Sequence, residues 1–178
     1  MALRFPIPGG VITQRFGLPA ASVASREPAM WYSKQRAYWL DYPGGRYYLH
    51  VHPGLDIAAG MRTPILAPQD GVVEYKGWGY PGLQNDPNSG YMIIVRINKT
   101  TLYRFNHLYS YLVNLGQRVE KGQPIATVGM SGNTTGPHTH MELAIYRVLK
   151  DGVGRYMLYN PELYLPGGSR HSSKLIRP

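Results

Sequence analysis

HTHMELAIYRV, residues 138–148, alternates polar and apolar side chains. A period of two is typical of a β-strand, because successive side chains point to opposite faces of a sheet. One face would carry His138, His140, Glu142 and Ala144. The other face would carry Thr139, Met141, Leu143 and Ile145 and would pack inwards. Strand geometry places the Cα atoms of the two histidines about 7 Å apart on the polar face.

The rest of the chain also favours strands. Gly and Pro separate short segments rich in β-branched and aromatic residues, which is the profile of an all-β domain. We therefore expect an all-β fold with an antiparallel β-sheet or β-sandwich core and long loops lining a cleft. Further strands are predicted over 10–15, 65–67, 71–76, 91–97, 101–108 and 124–128. Asn98, Lys99 and Thr100 would form the tip of a hairpin.

A chain of 178 residues is most economically one domain, 1–178, with a core over about 48–165 and a tail over 166–178. Residues 17–50 would form a long insert loop, and residues 76–90 a second loop. Both are rich in aromatic side chains, which stack well on sugars and peptides. The candidates for substrate binding are Trp31, Trp39, Trp78 and Tyr80. The alternative is that these aromatics only cover the core.

Composition limits the chemistry. The chain has no cysteine, which excludes thiolate metal sites, thiol nucleophiles and disulfides. Its formal charge of +9 would attract polyanions such as nucleic acid, acidic membrane or cell-wall polymers, although scattered basic residues also serve solubility alone. The N-terminal MALRFPIPGG lacks the pattern of a signal peptide. The sequence contains no run of about 18 apolar residues, so no membrane insertion is expected.

Two histidine motifs offer metal ligands, HPGLD at 52–56 and GNTTGPHTH at 132–140. Pro53 and Gly54 argue against a helix in the first motif, so a turn would bring His52 and Asp56 together. Imidazole and carboxylate ligands suit zinc, and a catalytic zinc uses three protein ligands and keeps one position open. Either motif alone is weak evidence for a metal site, because such short patterns recur by chance.

Together with their surroundings, the motifs resemble a known family. HPGLDIAAGMRTPILAPQDGVV (52–73) and LYRFNHLYSYLVNLGQRVEKGQPIATVGMSGNTTGPHTHMEL (102–143) are similar to the lysostaphin-type (LytM-like) zinc metallo-endopeptidases, which cut peptide cross-bridges of bacterial peptidoglycan. The resemblance covers roughly residues 48–147, and VITQRFG at 11–17 resembles the first strand of the family.

This resemblance implies one Zn²⁺ ion bound by His52, Asp56 and His140, and hydrolysis of the peptide by attack of a zinc-bound water. It also implies that His107 and His138 act on that water and on the scissile carbonyl, and it leaves open which of them is the general base. A general base of this kind contributes about 10²- to 10⁴-fold in rate.

Three residues are candidates for supporting roles. Glu142 would lie on the strand face of His140 and either orients a ligand ring or is a solvated surface residue. Tyr47 and Tyr48 lie near the position of a family tyrosine that helps to bind the oxyanion. His50 and His171 are assigned no role in catalysis.

The long insert before His52 departs from the family pattern and leaves substrate choice open. A compact, basic enzyme without a leader fits a bacteriophage enzyme, either virion-associated or released by cell lysis. Such an enzyme would act on peptidoglycan and would contact other virion proteins. One alternative is a non-enzymatic virion structural or cell-wall-binding protein on the same fold. Another is a basic nucleic-acid-binding β-domain, although no specific nucleic-acid motif is present. A D-alanyl carboxypeptidase of another zinc family is disfavoured, because its motif spacing is missing.

Overall fold

The computed structural model describes residues 2–16, 30–32, 38–42, 45–48, 52–79, 88–148, 152 and 154–166. For residues 30–32, 38–42 and 45–48 it describes the backbone alone. Across these residues the fold is all-β except for a 3₁₀ turn at Pro161–Tyr164. Among them, no helix is long and apolar enough to cross a membrane.

The described strands are β1 (Val11–Gln14), β2 (Met30–Tyr32), β3 (Tyr38–Tyr42), β4 (Gly45–Tyr48), β5 (Leu55–Ala58), β6 (Pro64–Leu66), β7 (Gly71–Trp78), β8 (Tyr91–Arg96), β9 (Thr101–Asn106), β10 (Leu108–Tyr111), β11 (Arg118–Val119), β12 (Pro124–Val128), β13 (His138–Val148) and β14 (Gly154–Tyr159). The larger sheet has the order β11-β7-β8-β9-β13-β14-β2-β3-β4, and β5 joins β1 to β13. The smaller sheet has the order β10-β12-β6. Every described pairing is antiparallel, which confirms the predicted fold class.

β13 has the bounds that its alternation predicts and lies at the centre of the larger sheet. It pairs with β9 along one edge and with β5 and then β14 along the other. Over residues 139–145 both of its faces are buried. The apolar face packs inwards as predicted, and His140, Glu142 and Ala144 of the polar face are buried as well. A strand flanked on both edges and covered on both faces excludes water from its polar side chains too.

Other predictions need correction at particular residues. The predicted strand 101–108 ends at Asn106, because His107 adopts a left-handed backbone with φ of 61°, and the chain then enters the smaller sheet as β10. Residues directly after Pro53 and Gly54 form β5, where only a turn was expected. β11 and β14 were not predicted from the sequence.

The insert at 17–50 is not a loop throughout, contrary to expectation. Its described parts are β2, β3 and β4, which extend the larger sheet beyond β14 by antiparallel pairing. The aromatic content that suggested a cleft wall also favours strands, because aromatic side chains fit a pleated sheet surface. The predicted hairpin tip between β8 and β9 is confirmed: the Asn98 side-chain oxygen accepts hydrogen bonds from the backbone N–H groups of Thr100 and Thr101.

The core contains the apolar side chains of the central strands. Ile93, Val95, Tyr103 and Phe105 of β8 and β9 are fully buried. The chain ends of the described core also meet, because the Leu3 N–H donates to the Tyr164 carbonyl over 2.7 Å. β9 and β13 are paired side by side within this core, and the candidate site lies at one end of that pair.

Candidate metal centre

Three potential ligand atoms converge where β5 pairs with β13. Asp56 and His140 lie directly opposite each other in the register of these strands. His52 Nε2 lies 3.0 Å from Asp56 Oδ1 and 3.0 Å from His140 Nδ1. Asp56 Oδ1 and His140 Nδ1 are 2.7 Å apart. The structure therefore brings together the three residues expected to bind zinc.

The outer nitrogen of each ligand histidine has a hydrogen-bond acceptor. His52 Nδ1 donates to the Arg15 carbonyl over 2.9 Å, and His140 Nε2 donates to Glu142 Oε1 over 3.0 Å. These bonds select the tautomers that leave His52 Nε2 and His140 Nδ1 as lone-pair donors. Two such lone pairs and a carboxylate oxygen facing one another repel unless a cation lies among them. The donor set of two imidazoles and one carboxylate fits zinc.

Gly54 allows the HPG turn to approach β13 closely. A Cβ atom at this position would lie 2.4 Å from the Met141 carbonyl oxygen and 2.7 Å from His140 Nε2. Real side chains do not tolerate such contacts, so only glycine permits this path of the backbone. The glycine of HPGLD thus brings His52 to the same point as Asp56 and His140.

Burial and hydrogen bonding keep the ligands in the protonation states that a metal needs. Burial alone would raise the pKa of Asp56, but the close approach of the His140 and His52 rings outweighs burial and holds the pKa well below its ordinary value. Burial lowers the pKa of His140 to about 4, even though Asp56 acts in the opposite direction. At neutral pH the site therefore contains a carboxylate and a neutral His140 ring.

His107 and His138 lie beside this group. Their ring centroids are 4.7 Å apart, and the His107 ring is 6.4 Å from the His140 ring. His107 Nδ1 donates to the Ser131 carbonyl over 2.9 Å, and His138 Nδ1 donates to the Gly136 carbonyl over 2.9 Å. Each ring thus presents Nε2 as an acceptor, and His138 Nε2 lies 3.9 Å from Asp56 Oδ2.

Ser131 is a supporting residue that the sequence analysis missed. Its carbonyl accepts from His107, and its hydroxyl donates to the Leu108 carbonyl over 2.9 Å and accepts from the Tyr91 N–H over 2.8 Å. The His107 N–H donates to the Ser89 carbonyl over 3.0 Å. Two loop segments therefore hold His107 in its left-handed conformation, which costs free energy for a residue with a side chain.

Glu142 is not a solvated surface residue. It is 1% exposed, and its Oε1 accepts from His140 Nε2. Of the two interpretations of Glu142, the contacts favour the one in which it orients a ligand ring.

A polar cavity of about 180 Å³ opens next to the metal group, and its lining includes Asn88, Ser89, Asn106, His107, Asn133 and His140. Trp78 and Tyr91, which lie opposite each other on β7 and β8, form an aromatic wall in which Trp78 is 48% and Tyr91 is 44% exposed. Their ring centroids are 5.1 Å apart in an edge-to-face arrangement. The Tyr91 N–H donates a hydrogen bond to the Ser131 hydroxyl, and the Ser131 carbonyl accepts one from His107. Ser131 thus connects the aromatic wall to His107.

The remaining candidates cannot be placed in the site. Tyr80 lies outside the described residues. Trp31, Trp39, Tyr47 and Tyr48 lie on β2, β3 and β4, whose side chains are outside the described part of the chain. Their roles in substrate or oxyanion binding stay predictions.

Comparison with known protein families identifies the domain. The model of peptidase family M23 matches residues 50–151, more than half of the chain, and this range includes the metal group and both neighbouring histidines. The chain belongs to peptidase family M23. The resemblance to lysostaphin-type metallopeptidases is therefore confirmed.

Related M23 proteins agree in sequence and fold. The peptidoglycan DD-endopeptidase ShyC of Vibrio cholerae serotype O1 is 37% identical over 103 residues, which cover 58% of this chain and 22% of ShyC. A zinc-containing peptidase from Vibrio cholerae has a TM-score of 0.58 at 26% identity, covering 82% of this chain and 37% of that one. The catalytic domain of lysostaphin from Staphylococcus simulans shares the fold, with a TM-score of 0.56 at 20% identity over 86% of this chain and 90% of that domain. The chain spans about a fifth of the length of ShyC and of two further curated relatives.

Proposed function

We propose that this M23 domain is a zinc-dependent endopeptidase that hydrolyses peptide cross-bridges of bacterial peptidoglycan. The observation that carries the proposal is the convergence of His52, Asp56 and His140 beside the rings of His107 and His138. The substrate is supported by the similarity to ShyC, which is named a peptidoglycan DD-endopeptidase. The metal is supported by the similarity to a zinc-containing peptidase from Vibrio cholerae.

The ligand set determines how zinc would be held. His52 Nε2, Asp56 Oδ1 and His140 Nδ1 are the three donor atoms, and they leave a coordination position for water or substrate. When bound, zinc supplies a Lewis acid that makes water more acidic and polarises the scissile carbonyl. The low pKa values of Asp56 and His140 mean that neither ligand needs to lose a proton at neutral pH before it binds the metal.

His138 and His107 provide the proton transfers. We assign the general base to His138, because its Nε2 faces the metal group across 3.9 Å to Asp56 Oδ2. The proton that His138 takes from water is the one that the leaving amine needs, and His107 in its doubly protonated form would donate from Nε2 to the developing oxyanion. Both rings are fixed through Nδ1 to backbone carbonyls, so only Nε2 of each addresses the reacting groups.

The aromatic wall of Trp78 and Tyr91 would bind the substrate. The two rings are exposed and packed against each other, so they offer apolar surface without side-chain reorganisation, and the Tyr91 N–H donates to Ser131, whose carbonyl holds His107. The charge of +9 would attract the protein to anionic wall polymers. A phage enzyme, virion-associated or released by lysis, stays a prediction.

The function is tested on purified protein with three measurements. Metal analysis should find about one zinc per chain. The protein should reduce the turbidity of purified cell walls and release new peptide termini, identified by mass spectrometry of the soluble fragments. Removal of zinc, or the variant His140→Ala, should abolish both effects, and added zinc should restore activity only to the native chain. Full activity of the metal-free protein would refute the proposal, and stoichiometric zinc with intact walls would favour a non-enzymatic wall-binding role.

A further inference from the structure

A buried ion pair lies behind the metal group. Arg104 on β9 and Glu142 on β13 are directly opposite each other in the strand register and form a salt bridge. Arg104 is 5% exposed and Glu142 is 1% exposed. Because both charges lose their hydration, a pair at this depth is a poor source of stability and points to a role in specifying geometry.

The two oxygens of Glu142 have different partners. Oε2 forms the ion pair with Arg104, and Oε1 accepts the hydrogen bond from His140 Nε2 over 3.0 Å. The carboxylate is therefore fixed at one end by a guanidinium and at the other by the ring of a metal ligand. A guanidinium is planar and always charged, so it defines the carboxylate orientation better than a flexible ammonium does.

We infer that Arg104 is a positioning residue of the metal centre, which acts through Glu142 to fix the ring orientation and tautomer of His140. Without Arg104, the carboxylate would be free to rotate away from His140 Nε2. The ring could then turn, or exchange its tautomer, and Nδ1 would no longer point at the other two donors. This inference rests on the proposed zinc site, because it concerns the geometry of one of its ligands.

The chain contains a matched control. Arg96 and Glu74 form a second arginine–glutamate pair on β8 and β7, with Arg96 Nη2 2.6 Å from Glu74 Oε2. Its side chains are 29% and 44% exposed, and neither is bonded to a metal ligand. Arg96→Met removes the same chemical pair without touching the site.

The test compares zinc affinity by competition with a chromophoric chelator. Arg104→Met should bind zinc about 10- to 100-fold more weakly than the native chain. Arg96→Met should bind it equally well, and Arg104→Lys should recover part of the loss. The visible spectrum of the cobalt-substituted protein should change in Arg104→Met and should match the native spectrum in Arg96→Met.

A variant without buried charge keeps the test decisive if Arg104→Met does not fold. In Arg104→Met/Glu142→Gln neither charge remains, and its zinc affinity should equal that of Glu142→Gln alone, because Arg104 acts only through Glu142. Native zinc affinity and a native cobalt spectrum in folded Arg104→Met would overturn the inference. A native chain that binds no zinc would instead refute the proposed function, which separates the two failures.

Discussion

His107 and His138 present their rings to each other at 4.7 Å between centroids, although one lies at the break between β9 and β10 and the other begins β13. Each is held through Nδ1 by a backbone carbonyl from a loop that also carries glycine, at Ser131 and at Gly136. The pair is therefore assembled from separate elements at a fixed separation. This geometry suits two groups that act side by side on one reacting centre.

Replacing either ring should separate catalysis from metal binding. His107→Ala and His138→Ala should each keep about one zinc per chain and reduce kcat by about 10²- to 10⁴-fold, because each loses a proton-transfer group but no ligand. Metal analysis and the rate of release of peptide termini check this. His52→Ala is the control, and it should lose zinc. Loss of zinc from His107→Ala would show that His107 is a metal ligand and that the assignment of the ligands is wrong.

Trp78→Ala should raise KM for soluble peptidoglycan fragments by about 3- to 10-fold and leave kcat nearly unchanged, because it removes stacking surface outside the metal group. Steady-state kinetics on a defined fragment measure both constants. Tyr146→Ala provides a comparison, since Tyr146 is also an exposed aromatic but lies on the distal part of β13. Equal KM values for Trp78→Ala and the native chain would remove the aromatic wall from the substrate site.

Gly54→Ala should both destabilise the fold and weaken zinc binding. The added methyl group would meet the Met141 carbonyl and His140 Nε2, so the turn must move away from β13 at a cost of about 1–3 kcal/mol. Urea denaturation and chelator competition measure the two effects. Gly60→Ala is the control, because the nearest atom to its new methyl group is Thr63 Oγ1 at 3.7 Å.

The stability of the metal-free protein should fall as the pH decreases from about 6.5 to about 4. The folded chain binds a proton at His140 only near pH 4, whereas the unfolded chain binds it near its ordinary pKa of 6.5. The unfolded state thus holds more protons in this window, and the loss could reach about 3 kcal/mol. Urea denaturation in the presence of a chelator measures it. His140→Gln should lack this part of the pH dependence.

Side-chain patterns predicted the strand that carries the site but not the groups that support it. The alternation of β13 and the Asn98 turn gave correct local structure, since both signals reside in neighbouring residues. Arg15 and Ser131 contribute backbone carbonyls to His52 and His107. Every residue has a carbonyl, so no residue type marks such a role.

Long-range pairing explains the other omissions. The partnership of Arg104 with Glu142 follows from the register of β9 against β13, which the alternation of either strand alone does not fix. The left-handed His107 that divides the predicted strand 101–108 is imposed by contacts with Ser89 and Ser131, more than fifteen residues away along the chain. Histidine adopts this conformation more often than most residues with a side chain, but still rarely, so the residue type alone does not predict it.

The position of β13 between strands on both edges gives the two halves of the site different dynamics. The backbone around His140 can open only when the central sheet separates, so its amide hydrogens should exchange with solvent on the time scale of global unfolding. His107 lies where the chain leaves one sheet for the other, and local opening of the loops that hold it suffices to displace its ring. Under the proposed function, metal retention would therefore depend on the stability of the whole fold, whereas the geometry around His107 would be able to adjust during each turnover.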